Sequence, residues 1–314
     1  SILNQSFKNF EFLIIDDGST DRSIDIINSY KDTRIKMVKN EKNKGITQTL
    51  NIGIALAQYE LIARMDADDV CQPMRLQKQY DYFLANPKIG LLATWAKEFY
   101  EDHKELVYQL KPDYYYYNLV WECWIYHPTV MFRKSAVTEV GMYQYPYCED
   151  YDLWWRLTRK YDLAIIPEVL LNYRYTNKSI SRVSKKIEYE LAHREQLVRN
   201  VRFYTGKAVE LNNDEIDFLL INLDALITNK TIKDFKGYFK KLDLINKYIF
   251  LKEKQRFPIA LLHKAAFDKK NRITYKLLSY YSLKSVVKLL VELRYWQLAI
   301  KYIIYGLSIK LRKR

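Results

Sequence analysis

The segment FEFLIIDDGSTDRS at residues 10–23 decides the fold of this chain. Residues 10–16 form an apolar run, interrupted only by Glu11, that ends in acids at Asp16 and Asp17, which is typical of a buried strand in a parallel sheet. A polar Ser-Thr-Asp run follows and can cap a helix over residues 22–30. A buried strand that turns directly into a helix predicts the first half of a β-α-β unit.

The same alternation continues along the chain. It predicts strands over residues 35–38, 61–65 and 89–100, and helices over residues 45–57 and 73–84. This pattern indicates an α/β fold with a doubly wound, mostly parallel sheet. Two of the strands end in acids, at residues 16–17 and 66–69. Since ligands of open α/β sheets bind beyond the carboxyl ends of the strands, both acidic clusters are expected to line one crevice.

Composition and charge divide the chain into two parts. It has 314 residues, 49% of them hydrophobic and 28% charged, which excludes wholesale disorder. Residues 1–182 hold 23 basic and 24 acidic residues, whereas residues 183–314 hold 28 and 13, so their net charges are −1 and +15. Helical periodicity replaces strand patterns from about residue 184. The polar segment NKSISRVS, residues 177–184, is the best boundary candidate, and it predicts an α/β domain over residues 1–183 and a basic α-helical region over residues 184–314.

The three cysteines favour a reducing compartment. Cys71, Cys123 and Cys148 are odd in number and lack metal-ligand spacing, which argues against a disulfide framework. No apolar run approaches the roughly 18 residues that a membrane span needs.

Two acidic clusters have chemistry that fits a nucleotide ligand. Asp66 and Asp68 are carboxylates two residues apart at a strand end, where both can face a hard cation such as Mg²⁺ or Mn²⁺. A solvated acidic turn is the competing interpretation, and for this motif alone it is favoured. Asp16 and Asp17 offer acceptors for ribose hydroxyls or a base N–H, although they can also cap a strand-to-helix turn.

A third cluster lies in the predicted helix EDYDLWWR, residues 149–156. Asp150 and Trp154 share one face of this helix, as do Asp152 and Arg156. A carboxylate in the first turn is favoured as an anion by the helix dipole and can take a proton from an attacking hydroxyl. An amphipathic helix with an Asp152–Arg156 ion pair explains the segment equally well.

Taken together, the motifs resemble a family two glycosyltransferase of the GT-A fold, of the bacterial surface-polysaccharide type. The resemblance covers roughly residues 1–175 and is specific because five segments stand in the family's order: FLIIDDGSTDRS, NKGITQTLNIGIALA, ARMDADDVCQPMRLQKQ, HPTVMFRKSAVTEVGMY and YCEDYDLWWRLTRKY. It implies a metal-dependent enzyme that uses Mn²⁺ or Mg²⁺.

The resemblance also implies roles for individual residues. Asp16 and Asp17 match the pair that contacts a uridine-type nucleoside, and Lys44, Gly45 and Asn51 match the segment beside the nucleotide. Asp66 and Asp68 match the DxD motif that holds the metal and the ribose or diphosphate. Asp150 matches the catalytic base of inverting members. Glu149, Trp154 and Arg156 match the part of this motif near the acceptor and diphosphate, while His127 is interpreted as structural.

One departure concerns the start of the chain. Family members open with a strand of the type SVIIPxYN, and this chain begins at the last turn of the helix that follows it. We therefore expect a truncated chain with a slot in its parallel sheet, and we expect residues 1–314 alone to be poorly stable or inactive.

The basic rear region interleaves aromatic, apolar and basic residues. Lys284, Lys288 and Glu292 form one polar stripe, and Gln297, Lys301 and Ser308 form another beside a wide apolar face. The chain ends in Lys310, Arg312, Lys313 and Arg314. Such helices can lie on anionic headgroups, although a helical subdomain with a charged tail is an equal alternative. No known DNA- or RNA-binding module is present, so nucleic acid is not expected as a partner.

The sequence thus predicts an inverting transfer of a sugar from a nucleotide-sugar donor, favoured as UDP-linked, to a glycan or lipid-linked acceptor in surface-polysaccharide synthesis. The expected location is cytoplasmic, on the inner face of the cell membrane. A non-catalytic nucleotide-sugar-binding or scaffold protein is the main alternative. A phospho-acceptor receiver domain would leave the helix at residues 149–156 unexplained.

Overall fold

The computed structural model describes residues 1–100, 105–108, 114–175 and 185–312. The chain divides into two compact units. The front unit comprises Ser1–Pro112 and Cys123–His193, and the rear unit comprises Asp113–Glu122 and Arg194–Arg314. The predicted boundary at residues 177–184 lies outside the described residues, so the predicted domain limits stay a prediction.

The strands of the front unit form a small sheet and a larger one. Their bounds are β1 Phe12–Asp16, β2 Ile35–Lys39, β3 Leu61–Ala63, β4 Val70–Cys71, β5 Ile89–Tyr100, β6 Glu105–Tyr108, β7 Met131–Arg133 and β8 Asp162–Tyr175. β1 and β2 pair in parallel, and the larger sheet has the order β3-β7-β5-β8-β4, with β6 beside β5. The β5–β8 ladder is parallel, while the shorter ladders at its flanks are antiparallel.

Helices alternate with the strands of the front unit and make up most of the described rear unit. Their bounds are α1 Ser23–Ser29, α2 Ile46–Leu56, α3 Arg75–Ala85, α4 Tyr115–Trp121, α5 Lys134–Glu139, α6 Glu149–Leu157, α7 Lys186–Thr205, α8 Asn213–Leu220, α9 Asp224–Ile227, α10 Phe235–Glu253, α11 Ile259–Leu277, α12 Leu283–Glu292 and α13 Trp296–Arg312. The predicted α/β class is thereby confirmed, as is the helical character of the rear region.

The core of the front unit forms around β5 and β8. The first half of β5 is apolar at consecutive positions, and Leu91, Leu92 and Ala93 are all fully buried. Such a run fits a strand that is covered on both faces. Phe83 of α3 and Ile166 of β8 pack in the same cluster as Leu92. These contacts hold α3, β5 and β8 together.

The core of the rear unit follows the periodicity of its helices. Phe235, Phe239, Leu242, Ile245 and Ile249 recur every three or four residues along α10, and all are buried. This spacing keeps them on one face of the helix.

Candidate functional site

The first acidic residue closes the turn between β1 and α1. Asp16 is buried, and its carboxylate accepts hydrogen bonds from the backbone N–H groups of Ser19 at 3.2 Å and Gly18 at 3.3 Å. Gly18 has a φ of 85°, and a Cβ there would lie 3.1 Å from the backbone nitrogen of Asn43. The turn therefore needs glycine at this position. Asp16 caps the turn, which is the structural role that the sequence analysis set beside nucleotide contact.

Asp17 contacts two of the other predicted nucleotide-binding residues, Lys44 and Gly45. Its carboxylate accepts hydrogen bonds from the backbone N–H groups of Lys44 and Gly45, both at 2.9 Å, and from Nδ2 of Asn40 at 2.7 Å. Burial opposes the charge on Asp17, but these hydrogen bonds outweigh it and lower the pKa of the carboxyl group. Asp17 is therefore an ionised anchor for the segment that precedes α2.

Asn51 joins α2 to the segment that leads into α6. Its Nδ2 donates to the carbonyl oxygen of Tyr143 at 2.8 Å, and its Oδ1 accepts from the N–H of Tyr143 at 3.0 Å. Both halves of the amide are thus occupied by one backbone residue. A contact of Asn51 with a nucleotide stays a prediction.

The loop after β3 is braced by a buried arginine on α3. Arg75 donates from Nη2 to the carbonyl oxygens of Arg64 at 2.8 Å and Val130 at 3.1 Å. Gln79, one turn along α3, donates to the carbonyl oxygens of Leu92 and Thr129. These bonds satisfy backbone groups where the β3–β7 ladder ends, and they hold the start of the acidic loop.

The three acids of this loop have different surroundings. Asp66 is partly exposed and forms an ion pair with Nη1 of Arg64, while Asp68 is exposed. Asp69 is buried, and its Oδ1 accepts from the N–H of Arg174 at 2.8 Å. Burial raises the pKa of Asp69 to about 7. Asp66 and Asp68 are therefore the acids that a ligand can reach.

The donor set is chemically suited to a hard cation. Within the described ranges, no group of three or more His, Cys, Asp or Glu side chains is arranged to hold a metal ion. Asp66 and Asp68 nevertheless present carboxylate oxygens, and Mg²⁺ is commonly bound by one or two carboxylates together with substrate phosphates and water. The residues present therefore fit Mn²⁺ or Mg²⁺ that arrives with a diphosphate.

Two adjacent acids begin α6. Cys148 adopts a left-handed φ of 55° before the helix, and Glu149 follows in the buried first turn. Burial, and then the charge of Asp150, raises the pKa of Glu149 to about 8. Burial also raises the pKa of Asp150. Both carboxyl groups are therefore harder to ionise than exposed ones, and the charge of one opposes the charge of the other.

His127 is a buried neutral group beside this helix. Its Nε2 lies 2.7 Å from the hydroxyl oxygen of Tyr143, and its Nδ1 lies 3.9 Å from Oε1 of Glu149. Burial and the charge of Arg64 lower the pKa of His127 well below its usual value. These contacts agree with a structural histidine.

The later residues of the motif serve internal contacts. Trp154 is fully buried, with its ring edge-on to His127. Arg156 bonds to Asp152 at 2.6 and 2.8 Å and also donates to a backbone carbonyl of the turn after α5, that of Val140. The Asp152–Arg156 ion pair, which the sequence analysis gave as the alternative explanation of this segment, is therefore present. The roles of Trp154 and Arg156 toward an acceptor or diphosphate stay predictions.

Arg64 is the site residue that the sequence reasoning missed. It is 9% exposed, pairs with Asp66, and lies close enough for its charge to act on Asp150 and Glu149. The sequence carried a signal, because Arg64 and Asp66 are two residues apart and such residues point to the same side where the backbone is extended. One buried cation thus joins the acidic loop after β3 to the acids of α6.

Comparison with known proteins identifies the family to which the chain is similar. A model of the family "Glycosyl transferase family 2" matches residues 1–141. The O-antigen biosynthesis glycosyltransferase WbnJ of Escherichia coli is 36% identical over 211 residues, which cover 61% of this chain and 78% of WbnJ. The E. coli enzyme UDP-Glc:alpha-D-GlcNAc-diphosphoundecaprenol beta-1,3-glucosyltransferase WfaP is 31% identical over 164 residues, or 51% of this chain and 63% of WfaP.

Among solved structures, residues 1–349 of S. aureus TarS superpose with a TM-score of 0.51 at 14% identity. The superposition covers 89% of this chain and 86% of the TarS chain. At this identity the likeness concerns the fold, and it agrees with the predicted fold class.

Proposed function

The chain belongs to glycosyltransferase family 2, and from that premise we propose that it is an inverting transferase that uses a UDP-linked sugar. The observation that carries the proposal is the convergence on Arg64. The predicted diphosphate-side acids and the predicted base lie far apart in sequence, yet Asp66 pairs with Arg64 and the charge of Arg64 acts on Asp150. A donor held at Asp66 would therefore have its sugar near Asp150, whose carboxylate would accept a proton.

The donor would bind at the crevice formed by the ends of β1 and β3. Asp17 and the segment Lys44–Gly45 would contact the nucleoside, since Asp17 is held ionised by hydrogen bonds from that segment. Asp66 and Asp68 would hold Mn²⁺ or Mg²⁺, which when bound neutralises the charge of the diphosphate leaving group.

The chemical step needs a base for the acceptor hydroxyl. Asp150 accepts the hydroxyl proton as the acceptor oxygen forms a bond to the anomeric carbon. The bond from that carbon to the diphosphate oxygen breaks on the opposite face, so the configuration inverts. Because burial raises the pKa of Asp150, its carboxylate is a stronger base than an exposed aspartate.

Two relatives support the substrate class. The name of WfaP gives a UDP-linked glucose donor and an acceptor on diphosphoundecaprenol. The name of WbnJ places it in O-antigen biosynthesis. We therefore propose a glycan or lipid-linked acceptor in surface-polysaccharide assembly for this chain.

The test is a panel of UDP-, GDP- and dTDP-linked sugars, each assayed for donor hydrolysis with Mn²⁺, with Mg²⁺ and with EDTA. We expect turnover of a UDP-linked sugar that EDTA abolishes, and NMR of the transfer product should show inversion. Turnover that persists in EDTA would defeat the metal assignment, and a retained configuration would defeat the role of Asp150. Nucleotide binding without turnover of any donor would favour the scaffold alternative.

We also propose that the rear region contacts an anionic membrane surface on the cytoplasmic side. Among the described helices, none is both long and apolar enough to cross a bilayer. Lys284 and Lys288 of α12 are exposed, and α13 exposes Trp296, Ile300 and Ile304. Basic residues near an anionic surface contribute on the order of 1 kcal/mol each.

Liposome flotation tests the membrane proposal. We expect the full chain to float with anionic but not neutral liposomes at low salt. High salt should release it at least in part, because the Debye length falls to roughly 3 Å at 1 M. A chain that ignores anionic liposomes at low salt would show that these helices serve ordinary packing.

A further inference from the structure

The rear unit contains an open cavity that the proposed transferase reaction does not use. It has a volume of about 770 Å³ and is lined by α10, α11 and the residues from Arg294 to Leu298. This volume lies within the usual range of ligand sites, which is roughly 300–1,000 Å³. Aromatic and aliphatic side chains form much of the lining, including Phe250, Ile259, Phe267 and Trp296. The cavity can therefore hold an apolar group.

The charges around the cavity are mostly positive. Lys247, Lys254, Lys270 and Arg294 line it together with a single acid, Asp243. Asp243 is already paired with Lys270 at 2.5 Å and accepts a hydrogen bond from Tyr295. Its charge is therefore not available to balance the remaining cations.

Two cations line the cavity near the end of α10, Lys247 on the helix and Lys254 at its C-cap. Lys247 and Lys254 are seven residues apart, or about two helical turns, with Phe250 between them. All three line the cavity. Lys247 and Lys254 are exposed, and the structure shows no ion pair for either within its described part. An apolar surface is thus flanked by two cations that are free to meet an anion.

A buried amide in the cavity wall also lacks an acceptor. Asn246 is 4% exposed and lines the cavity. Its Oδ1 accepts from the hydroxyl of Tyr117 at 2.9 Å, whereas its Nδ2 is without a hydrogen-bond partner in the described structure. A buried donor left unpaired costs about 1–3 kcal/mol, so an acceptor at this position would be stabilising.

The part of the wall formed by residues 294–298 places a cation at a position that normally favours glycine. Arg294 has a φ of 60° after the end of α12, where the N–H of Tyr295 donates to the carbonyl of Leu290 at 2.8 Å. Glycine is preferred at such a position because a Cβ is strained there. The first turn of α13 follows directly, and its residues Trp296, Gln297 and Leu298 also line the cavity. The positive end of that helix dipole adds to the field of Arg294.

We propose that this cavity binds a phosphorylated amphiphile, which is a phosphate group carried on an apolar chain. The phosphate is held by the cationic side chains of the wall, Lys247, Lys254 and Arg294. The apolar chain lies against Phe250, Ile259 and Trp296. The inference is independent of the transferase reaction, because it rests on rear-unit residues alone.

The test uses calorimetric titration of the full chain with decyl phosphate below its micelle concentration. Inorganic phosphate and decyl maltoside separate the two halves of the ligand. We expect one site that binds decyl phosphate about tenfold or more tightly than either comparator, since the phosphate and the chain each contribute contacts. Equal affinity for inorganic phosphate or for decyl maltoside, or lack of binding by decyl phosphate, would overturn the proposal.

A variant that spares the fold tests the assignment of the residues. Arg294→Gly removes the cation and suits the left-handed backbone, so Tm should stay the same or rise while decyl phosphate binds about fivefold or more weakly. Lys247→Ala with Lys254→Ala should act likewise. Lys240→Ala is the matched control, because Lys240 is exposed on α10 and does not line the cavity. If Lys240→Ala lost as much affinity for decyl phosphate, the effect would come from the overall positive charge of the rear unit, and the assignment of the site would be overturned.

The outcomes remain separable from those of the membrane proposal. A chain that binds decyl phosphate yet fails to float with anionic liposomes would overturn membrane contact and leave the cavity assignment in place.

Discussion

The two units place their charges in opposite ways. The front unit buries Arg64, Asp69 and Glu149, and burial raises the pKa of Asp69 to about 7 and of Glu149 to about 8. The rear unit mostly displays its charges at the surface, as with Lys247 and Lys254. Charges in a low-dielectric interior interact strongly with one another, whereas exposed charges are screened by water and salt. The front unit is therefore suited to chemistry, and the rear unit to attraction of anions.

The largest expected effect concerns the base in the front unit. Asp150→Asn should lower kcat by about 10²–10⁴-fold, because the amide cannot take the acceptor's proton. Affinity for the UDP-linked donor should change little. Steady-state kinetics and donor titration measure the two quantities separately.

The matched control is Asp81→Asn, which makes the same chemical change at an exposed position on α3. It should keep the wild-type rate. Near-normal transfer by Asp150→Asn would show that another residue acts as the base. It would also remove the main reason for assigning the chemistry to the buried acids of the front unit.

The next effect compares a buried cation with an exposed one. Arg64→Met should lower the free energy of unfolding by about 3–5 kcal/mol, because the acids around Arg64 lose their buried counter-ion. Lys236→Met breaks a rear ion pair with Glu292 in which both side chains are 40% exposed, and it should cost less than about 1 kcal/mol. Urea unfolding measures both. Equal losses of unfolding free energy in the two variants would show that a buried cation of the front unit stabilises the protein no more than an exposed cation of the rear unit.

The two units should also differ in the sign of their pH dependence. The pKa of Glu149 is raised from 4.5 to about 8, so the folded state holds a proton that the unfolded state releases in this window. Stability should therefore fall as pH rises from about 4.5 to 8, by at most about 1.4 kcal/mol per pH unit from this group. Glu149→Gln should flatten that slope in urea unfolding measured at a series of pH values.

The rear unit supplies the opposite case. Burial lowers the pKa of Lys269 from 10.5 to about 8, so the unfolded state binds the extra proton between these values and stability should rise with pH. Lys269→Met should remove that rise.

For Glu149→Gln, the slope of stability against pH is the deciding quantity. If this slope between pH 4.5 and 8 were the same as in the wild type, the raised pKa of the Glu149 carboxyl group would be contradicted.

The last expected effect concerns Asp68, an exposed acid of the front unit. Asp68→Asn should weaken UDP binding in Mn²⁺ by about tenfold, because it removes one charge from the donor set. Tm should hardly change, since Asp68 is exposed. Calorimetric titration with and without Mn²⁺ measures the first quantity. Unchanged UDP affinity in Mn²⁺ would exclude Asp68 as a ligand.

Local sequence patterns were enough for the long elements. The strand expected at residues 89–100 is β5 as observed, and β1 ends at Asp16 as expected. The helix expected at residues 45–57 is α2, shorter by one residue at each end. In these segments apolar periodicity and helix boundaries are encoded by neighbouring residues, so the sequence alone is informative.

Elements that depend on distant partners could not be predicted this way. β4 is two residues long and exists because Val70 and Cys71 pair with β8. The strand expected at residues 61–65 ends earlier, at Ala63, where the chain enters the acidic loop. Arg64 carries a local signal, but its buried setting arises from α6 and from the segment around Val130, which are remote in sequence.

Two sets of long-range hydrogen bonds within the front unit have a consequence for how the protein is made. The bond between Asp69 and Arg174 spans 105 residues, and the amide pair of Asn51 with Tyr143 spans 92. Contacts of this kind close long loops, so they stabilise the chain only after it has lost much conformational entropy. Since chains emerge from the ribosome N-terminus first, β1, α2 and the acidic loop are synthesised well before their partners. The acidic loop after β3 therefore gains its hydrogen bond from Arg174 late, once that residue has been added.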